Sequence, residues 1–84
     1  MEEIVGAIHR LILDKFLANE NPEDLTLETP LITGGILDSI STLKLINFLE
    51  NQFDITIEAH EAGIDHLDSI ERIARLVALK KHAA

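Results

Sequence analysis

Residues 34–40 are Gly34-Gly35-Ile36-Leu37-Asp38-Ser39-Ile40, a glycine pair followed by an aspartate and a serine where an apolar helix begins. Asp38 is a residue type that caps helix N-termini, which places Ser39 at the first helical position. A phosphate on that hydroxyl would face unpaired backbone N–H groups and the positive end of the helix dipole. The stretch therefore predicts a serine suited to carry a phosphodiester.

The same tripeptide occurs again as Asp68-Ser69-Ile70, so Asp-Ser-Ile alone is weak evidence of modification. Glu71 lies three residues after Asp68, the spacing of a reciprocal capping box, and we expect Asp68 to cap the last helix. Asp38 has Ser41 at the equivalent position, a poorer partner for such a box. Asp38 also follows a glycine pair, which supplies a permissive hinge. The first copy thus has features that helix capping leaves unexplained.

Apolar residues recur at three- and four-residue spacing along most of the chain, which predicts an all-α fold with three main helices. We expect the first from Glu2 to about Leu17, the second from Asp38 to Phe53, and the last after Asp68. A weakly periodic segment at Ala59–His66 predicts one short helix. The basic residues Lys80-Lys81 suit the negative end of the last helix dipole.

The apolar pattern also predicts which side chains form the core. A long loop before the glycine pair needs anchors, for which we expect Leu25, Leu27, Leu31 and Ile36. In the last helix, the inward residues should be Ile70, Ile73, Ala74 and Val77. In the second helix, the core spacing is followed by Ile40, Leu43, Ile46, Leu49 and Phe53. Leu45 and Phe48 widen the apolar arc beyond one core face, and this excess is available to a partner.

The charge balance restricts the class of partner. The sequence has 15 Asp and Glu against 7 Lys and Arg, for a formal net charge of −8. Because an acidic surface repels nucleic acid and anionic membranes, we expect no nucleic-acid partner and no membrane insertion. The acids either attract basic patches on partner proteins or simply keep a small domain soluble.

Several kinds of chemistry are disfavoured by composition. Cysteine is absent, which excludes disulfides, thiolate metal sites and a cysteine nucleophile. No stretch looks like a signal peptide or a membrane span, so we expect a cytoplasmic protein. The histidines are scattered, with spacing poor for metal ligands: they are His9, His60, His66 and His82. We therefore predict neither a metal site nor catalytic residues.

Residues 31–55 resemble the modification site and second helix of acyl carrier and peptidyl carrier proteins. In that family an Asp-Ser-apolar motif follows a glycine-containing loop and opens an apolar helix that ends near a phenylalanine, here Phe53. The resemblance implies a four-helix carrier-protein bundle with three main helices, one short helix and a long first loop. It also implies that residues 1–84 are a single carrier domain.

The resemblance further implies that Ser39 carries 4′-phosphopantetheine, transferred from coenzyme A by a phosphopantetheinyl transferase. Acyl or aminoacyl groups would be held as thioesters on the terminal thiol, so the chain would be a substrate shuttle and not an enzyme. Asp38 would cap the helix and help the transferase orient its metal and the serine. The implied partner contacts are Ile40, Leu43 and Lys44, although core packing is an equal alternative for Leu43.

The second helix departs from one family pattern. Carriers of fatty-acid synthesis usually have acids along this helix, whereas here much of its polar surface is Ser41, Lys44, Asn47, Asn51 and Gln52. The departure favours a specialised polyketide, nonribosomal-peptide or aminoacyl pathway. Its expected partners are a loading ligase and an acyl-processing synthase or transferase, acting on a monomeric carrier. The alternatives are a housekeeping fatty-acid carrier and an unmodified acidic helical adaptor.

Overall fold

A computed structural model describes residues 2–16 and 25–83 of the chain, with side chains as far as Lys81. Four α-helices lie within these ranges, with a 3₁₀ helix at Ala59–Glu61. They are α1 (Glu2–Lys15), α2 (Ser39–Phe53), α3 (Ile64–Leu67) and α4 (Ile70–Ala83). The predicted all-α bundle, with three main helices and one short helix, is confirmed. Leu17, the expected end of the first helix, lies outside the described residues.

The core is aliphatic and lies where α1, α2 and α4 meet. Ile8 and Ile12 of α1 are fully buried, as are Leu45 and Leu49 of α2. The predicted inward set of α4 is confirmed, because all four residues are fully buried: Ile70, Ile73, Ala74 and Val77. Burying one large aliphatic side chain contributes about 1.5–3 kcal/mol, so this cluster is the main source of stability.

The predicted core face of α2 is confirmed at Leu49, and Ile46 and Phe53 are partly buried against the core. The rest of the prediction is wrong, because the buried stripe is rotated around the helix. Leu45, assigned to the excess apolar arc, is fully buried, whereas Ile40 and Leu43 are 66% and 63% exposed. The inward stripe is formed by Thr42, Leu45 and Leu49. Thr42 can occupy it because its hydroxyl donates to the Asp38 carbonyl at 2.7 Å, which satisfies the buried polar group.

The N-terminus of α2 matches its prediction. Asp38 is the cap residue, and its Oδ1 accepts a hydrogen bond from the Ser41 backbone N–H at 2.7 Å. Ser39 is therefore the first helical residue. The helix ends at Asp54, whose φ of +55° is left-handed and whose N–H donates to the Glu50 carbonyl.

In the second Asp-Ser-Ile, the serine and not the aspartate caps the helix, so the predicted capping box of Asp68 and Glu71 is wrong. Asp68 is the last residue of the α3 turn, since its N–H donates to the Ile64 carbonyl. The cap of α4 is Ser69, whose Oγ accepts from the Arg72 N–H at 3.2 Å. Glu71 pairs with an arginine one turn later. Because α3 continues to Leu67, the cap position moves one residue along the chain.

The loop before α2 is anchored by a different set of leucines from the predicted one. Leu25 and Leu31 are buried and Ile36 is half-buried, but Leu27 is 43% exposed, so its assignment as an anchor is wrong. Leu37, which periodicity did not single out, is the other buried anchor. Two apolar side chains six positions apart thus bracket the glycine pair and fix both ends of the turn.

Both glycines are required by the backbone of this turn. Gly35 has a φ of +83°, where an L side chain is strained. A Cβ on Gly34 would lie 2.2 Å from the Pro30 carbonyl oxygen. This turn therefore needs glycine at both positions, and the pair is more than a flexible hinge.

Substitution of Gly34 by alanine should lower the free energy of unfolding by about 1–3 kcal/mol, because the backbone must shift to accommodate the new methyl group. Gly6→Ala is a matched control with the opposite sign. Gly6 lies inside α1 with open space around its Cβ position, so alanine should stabilise by about 0.5–1 kcal/mol. Urea denaturation measures both. Equal effects would show that Gly34 is not constrained as described.

Among the described residues, no helix is both long enough and apolar enough to cross a membrane.

Candidate functional site

Ser39 lies exposed at the open end of α2. Asp38 accepts the Ser41 N–H, and the remaining unpaired N–H groups of the first turn and the positive dipole end lie at the same end of the helix as Ser39. A phosphoryl group joined to the hydroxyl would be stabilised by both. Ser39 therefore combines an exposed hydroxyl with a position at the N-terminus of α2.

A groove of about 540 Å³ begins at Asp38 and Ser39 and continues towards α3. Its walls come from the loop before α2, from α2 itself and from the segment that enters α3. Apart from Thr42 these walls are apolar: Ile32, Leu37, Leu43, Ile46, Ala62, Gly63 and Ile64. A flexible chain attached to Ser39 could lie along these walls or extend into solvent. The residues present therefore fit a long covalent group with polar and apolar parts.

Three exposed apolar side chains near the serine form what we call the apolar ridge. They are Ile40, Leu43 and Ile64, which are 66%, 63% and 47% exposed. Lys44 is exposed on the same helix. The core-packing alternative for Leu43 is thus wrong. The three residues predicted as partner contacts, Ile40, Leu43 and Lys44, are all exposed. Ile64 was missed by sequence reasoning, and its only signal was an apolar residue directly after Gly63.

The charges on α2 leave its exposed surface nearly neutral. The first turn of α2 has no acidic residue, and Glu50 in its last turns is half-buried and accepts a hydrogen bond from the Ile57 N–H at 2.9 Å. Asp38 is the carboxylate beside the serine. Hydrogen bonds from Ser41 keep the pKa of Asp38 below its usual value, so it is ionised at neutral pH.

Ser69 provides an internal comparison for Ser39. Ser69 is only 8% exposed, and its Oγ is engaged with the Arg72 N–H. The two serines follow the same residue type, yet one is accessible beside a groove and the other is buried in a helix cap. The structure therefore distinguishes the two copies of the tripeptide by access.

Other polar clusters offer no comparable site. A cleft of about 310 Å³ at the start of α4 is lined by charged groups that include Glu71 and Arg75, which pair at 2.6 Å. His9 interacts with the Leu25 carbonyl at 2.9 Å. Within residues 2–16 and 25–83, no three His, Asp or Glu side chains are placed to hold a metal ion.

Acid should destabilise the fold through carboxylates with lowered pKa values. Backbone and side-chain N–H or O–H groups of Thr33 lower the pKa of Asp68, and Lys80 lowers that of Glu61. A depressed folded pKa means that the unfolded state binds protons first, so stability falls as pH falls from about 4 through the lower folded values. Urea denaturation at several pH values measures this fall. Glu61→Gln should flatten the dependence, and an unchanged slope would contradict the assignment.

Comparisons with known proteins agree with this site. A family model described as a phosphopantetheine attachment site matches residues 12–77, well over half of the chain. The chain belongs to this phosphopantetheine-binding family. It is a carrier protein whose cofactor is 4′-phosphopantetheine, as the resemblance implied. The site region of Ser39 lies inside the matched residues.

Individual relatives narrow the class of carrier. A D-alanyl carrier protein of Streptococcus mutans is 34% identical over 71 residues, which cover 84% of this chain and 86% of the relative. One from Streptococcus gordonii is 35% identical over 81 residues, covering 96% and 94%. One from Streptococcus sanguinis is 31% identical over 81 residues, covering 96% and 99%. The family and these relatives match the expectation of a specialised carrier of acyl or aminoacyl groups.

Proposed function

We propose that Ser39 is the residue that carries 4′-phosphopantetheine and that residues 1–84 act as a single carrier domain. The observation that supports this most strongly is the contrast between the exposed Ser39 at the open end of α2 and the buried Ser69. The arm supplies a terminal thiol that holds cargo as a thioester. A chain without cysteine has no thiol of its own.

The chain's own residues would present the serine to its partners. Asp38 fixes the start of α2 and places an ionised carboxylate beside the hydroxyl, where a phosphopantetheinyl transferase can use it to orient its metal and the serine. Ile40 and Leu43 offer apolar contacts, and Lys44 offers one positive charge. No residue of the chain is assigned a catalytic role, and we propose a shuttle acting as a monomer in the cytoplasm.

We propose D-alanine as the cargo. Support comes from the names of the relatives and from the nearly neutral α2, whose one acid, Glu50, is half-buried, whereas fatty-acid carriers usually have several acids along this helix. The partners would then be a ligase that adenylates the amino acid and loads it, and a transferase that accepts it. A free carboxylate does not form a thioester spontaneously, so ATP would first convert it to an acyl adenylate with release of pyrophosphate. The thiol of the arm would then attack the acyl carbon and release AMP.

The experiment first converts the protein to its phosphopantetheine form with coenzyme A, Mg²⁺ and a phosphopantetheinyl transferase. The product is then incubated with ATP and a D-alanine-activating ligase, and in parallel with an acyl ligase and a fatty acid. Intact-mass spectrometry should show one phosphopantetheine and then one D-alanyl group that hydroxylamine releases. Acceptance of the fatty acyl group alone would favour the housekeeping carrier. No phosphopantetheine gain with several transferases would favour the unmodified adaptor.

A further inference from the structure

The carboxylate of Asp68 holds the loop that leads to Ser39. Its Oδ1 accepts hydrogen bonds from the Ile32 and Thr33 N–H groups, both at 2.8 Å. Its Oδ2 accepts from the Thr33 hydroxyl at 2.9 Å. The Asp68 carbonyl accepts from the Leu31 N–H at 2.6 Å. One residue between α3 and α4 therefore ties three consecutive loop residues, and we call these four hydrogen bonds the Asp68 clamp.

The clamp continues towards the serine through the turn. The Leu37 N–H donates to the Leu31 carbonyl at 2.8 Å, and the Gly35 N–H donates to the Ile32 carbonyl at 3.1 Å. The clamped residues 31 and 32 are thus the acceptors that close the glycine turn. Leu37 precedes the cap of α2, and Ser39 follows two residues after it. The backbone leading to Ser39 is consequently fixed at its start by a residue distant in sequence.

The Asp68 carboxylate accepts hydrogen bonds from the loop and does not cap α4, the helix that follows it. Ser69 caps α4, so Asp68 is not needed for that purpose. Glu71, the partner expected in a capping box, is bonded to Arg75. Within the described residues, every hydrogen bond accepted by the Asp68 carboxylate comes from Ile32 or Thr33. Hydrogen bonds to a charged acceptor are stronger than those between neutral groups, so the three that this carboxylate accepts favour one loop conformation over others.

We infer that Asp68 is a positioning residue for the modification of Ser39, and this inference rests on the proposed function of that serine. Residues 32–36 include the glycine pair and have alternative conformations available once released. Without the clamp, a smaller fraction of molecules holds the turn that presents Ser39 to the transferase. The apparent affinity of the transferase for the carrier falls by that fraction, while turnover of bound carrier is retained.

The test measures steady-state kinetics of phosphopantetheine transfer to wild type, Asp68→Ala, Asp68→Asn and Ser69→Ala. Asp68→Ala should raise the KM for the carrier about tenfold with kcat nearly unchanged, equivalent to about 1.4 kcal/mol. Asp68→Asn keeps an oxygen that can accept from both N–H groups, so it should recover much of the loss. Ser69→Ala removes a neighbouring helix cap and lowers global stability without touching the loop, so its KM should match wild type.

Amide hydrogen exchange gives a second, independent measurement on the same proteins. Asp68→Ala should accelerate exchange at Ile32, Thr33 and Leu37 while the core amide of Leu45 stays protected. If Asp68→Ala does not fold, Asp68→Asn and Thr33→Val carry both measurements, and each should show a smaller effect in the same direction.

Three outcomes would overturn the inference. One is equal kcat/KM for folded Asp68→Ala and wild type. Another is an equal rise in KM for Ser69→Ala, which would attribute the effect to general destabilisation. The third is a wild type that gains no phosphopantetheine, which removes the proposed function and the inference with it. Modification of wild type with unaffected Asp68 variants removes the inference alone, so the two failures are distinguishable.

Discussion

Replacing Ser39 by alanine should abolish the gain of phosphopantetheine completely, because the substitution removes the only oxygen at this position that can form the phosphodiester. Ser39 is exposed, and the cap of α2 is made by Asp38, so the variant should retain its fold. Intact-mass spectrometry after incubation with coenzyme A, Mg²⁺ and a transferase measures the result. Circular dichroism verifies that helix content is unchanged.

The matched control for this result is Ser69→Ala. It occurs in the same tripeptide, but the hydroxyl is buried and bonded to the Arg72 N–H, so its removal should leave modification complete. It should instead cost about 1 kcal/mol of stability through the lost cap. Modification that persists in Ser39→Ala would exclude Ser39 as the attachment point. Loss of modification in a folded Ser69→Ala would contradict the assignment of Ser69 as a purely structural residue.

The two Asp-Ser-Ile copies show which hydrogen bonds can be predicted from sequence and which cannot. Asp38 was correctly predicted as a cap because its hydrogen bond reaches only three residues along the chain. Asp68 was wrongly predicted as a cap because its role depends on contacts with residues 32 and 33, which lie far away in sequence. Local pattern contains no information about such a contact. The same limit hid Leu37 and Ile64 as groove residues.

The prediction for α2 was wrong at Ile40 and Leu43 for a different reason. A binary apolar pattern counts Thr42 as polar and places it outside the core, but its hydroxyl is satisfied by the Asp38 carbonyl within the same helix. Excluding Thr42 rotates the expected stripe towards Ile40 and Leu43. Their exposure left an apolar ridge beside the serine, which the sequence had suggested only as partner contacts.

This corrected rotation predicts that Leu45→Ala should lower the free energy of unfolding by about 2–5 kcal/mol, because it leaves a cavity at a fully buried position. Total stability of a domain is about 0.05–0.15 kcal/mol per residue, so the loss consumes a large part of it in a chain of 84 residues. Urea denaturation followed by circular dichroism measures the change. The original sequence pattern, which placed Leu45 in the excess arc, predicts a small effect instead.

Leu43→Ala is the matched variant, with the same chemical change two positions away on the same helix. Leu43 is 63% exposed, so its truncation should alter stability by no more than about 0.5 kcal/mol. Its effect should appear in partner recognition, as a several-fold rise in the KM of the transferase for the carrier, since apolar side chains at an interface are desolvated on binding. Equal destabilisation by the two substitutions would contradict the rotation of α2. A normal KM for Leu43→Ala would show that this leucine does not contact the transferase. The two substitutions separate stability from recognition because Leu45 and Leu43 lie on opposite faces of α2.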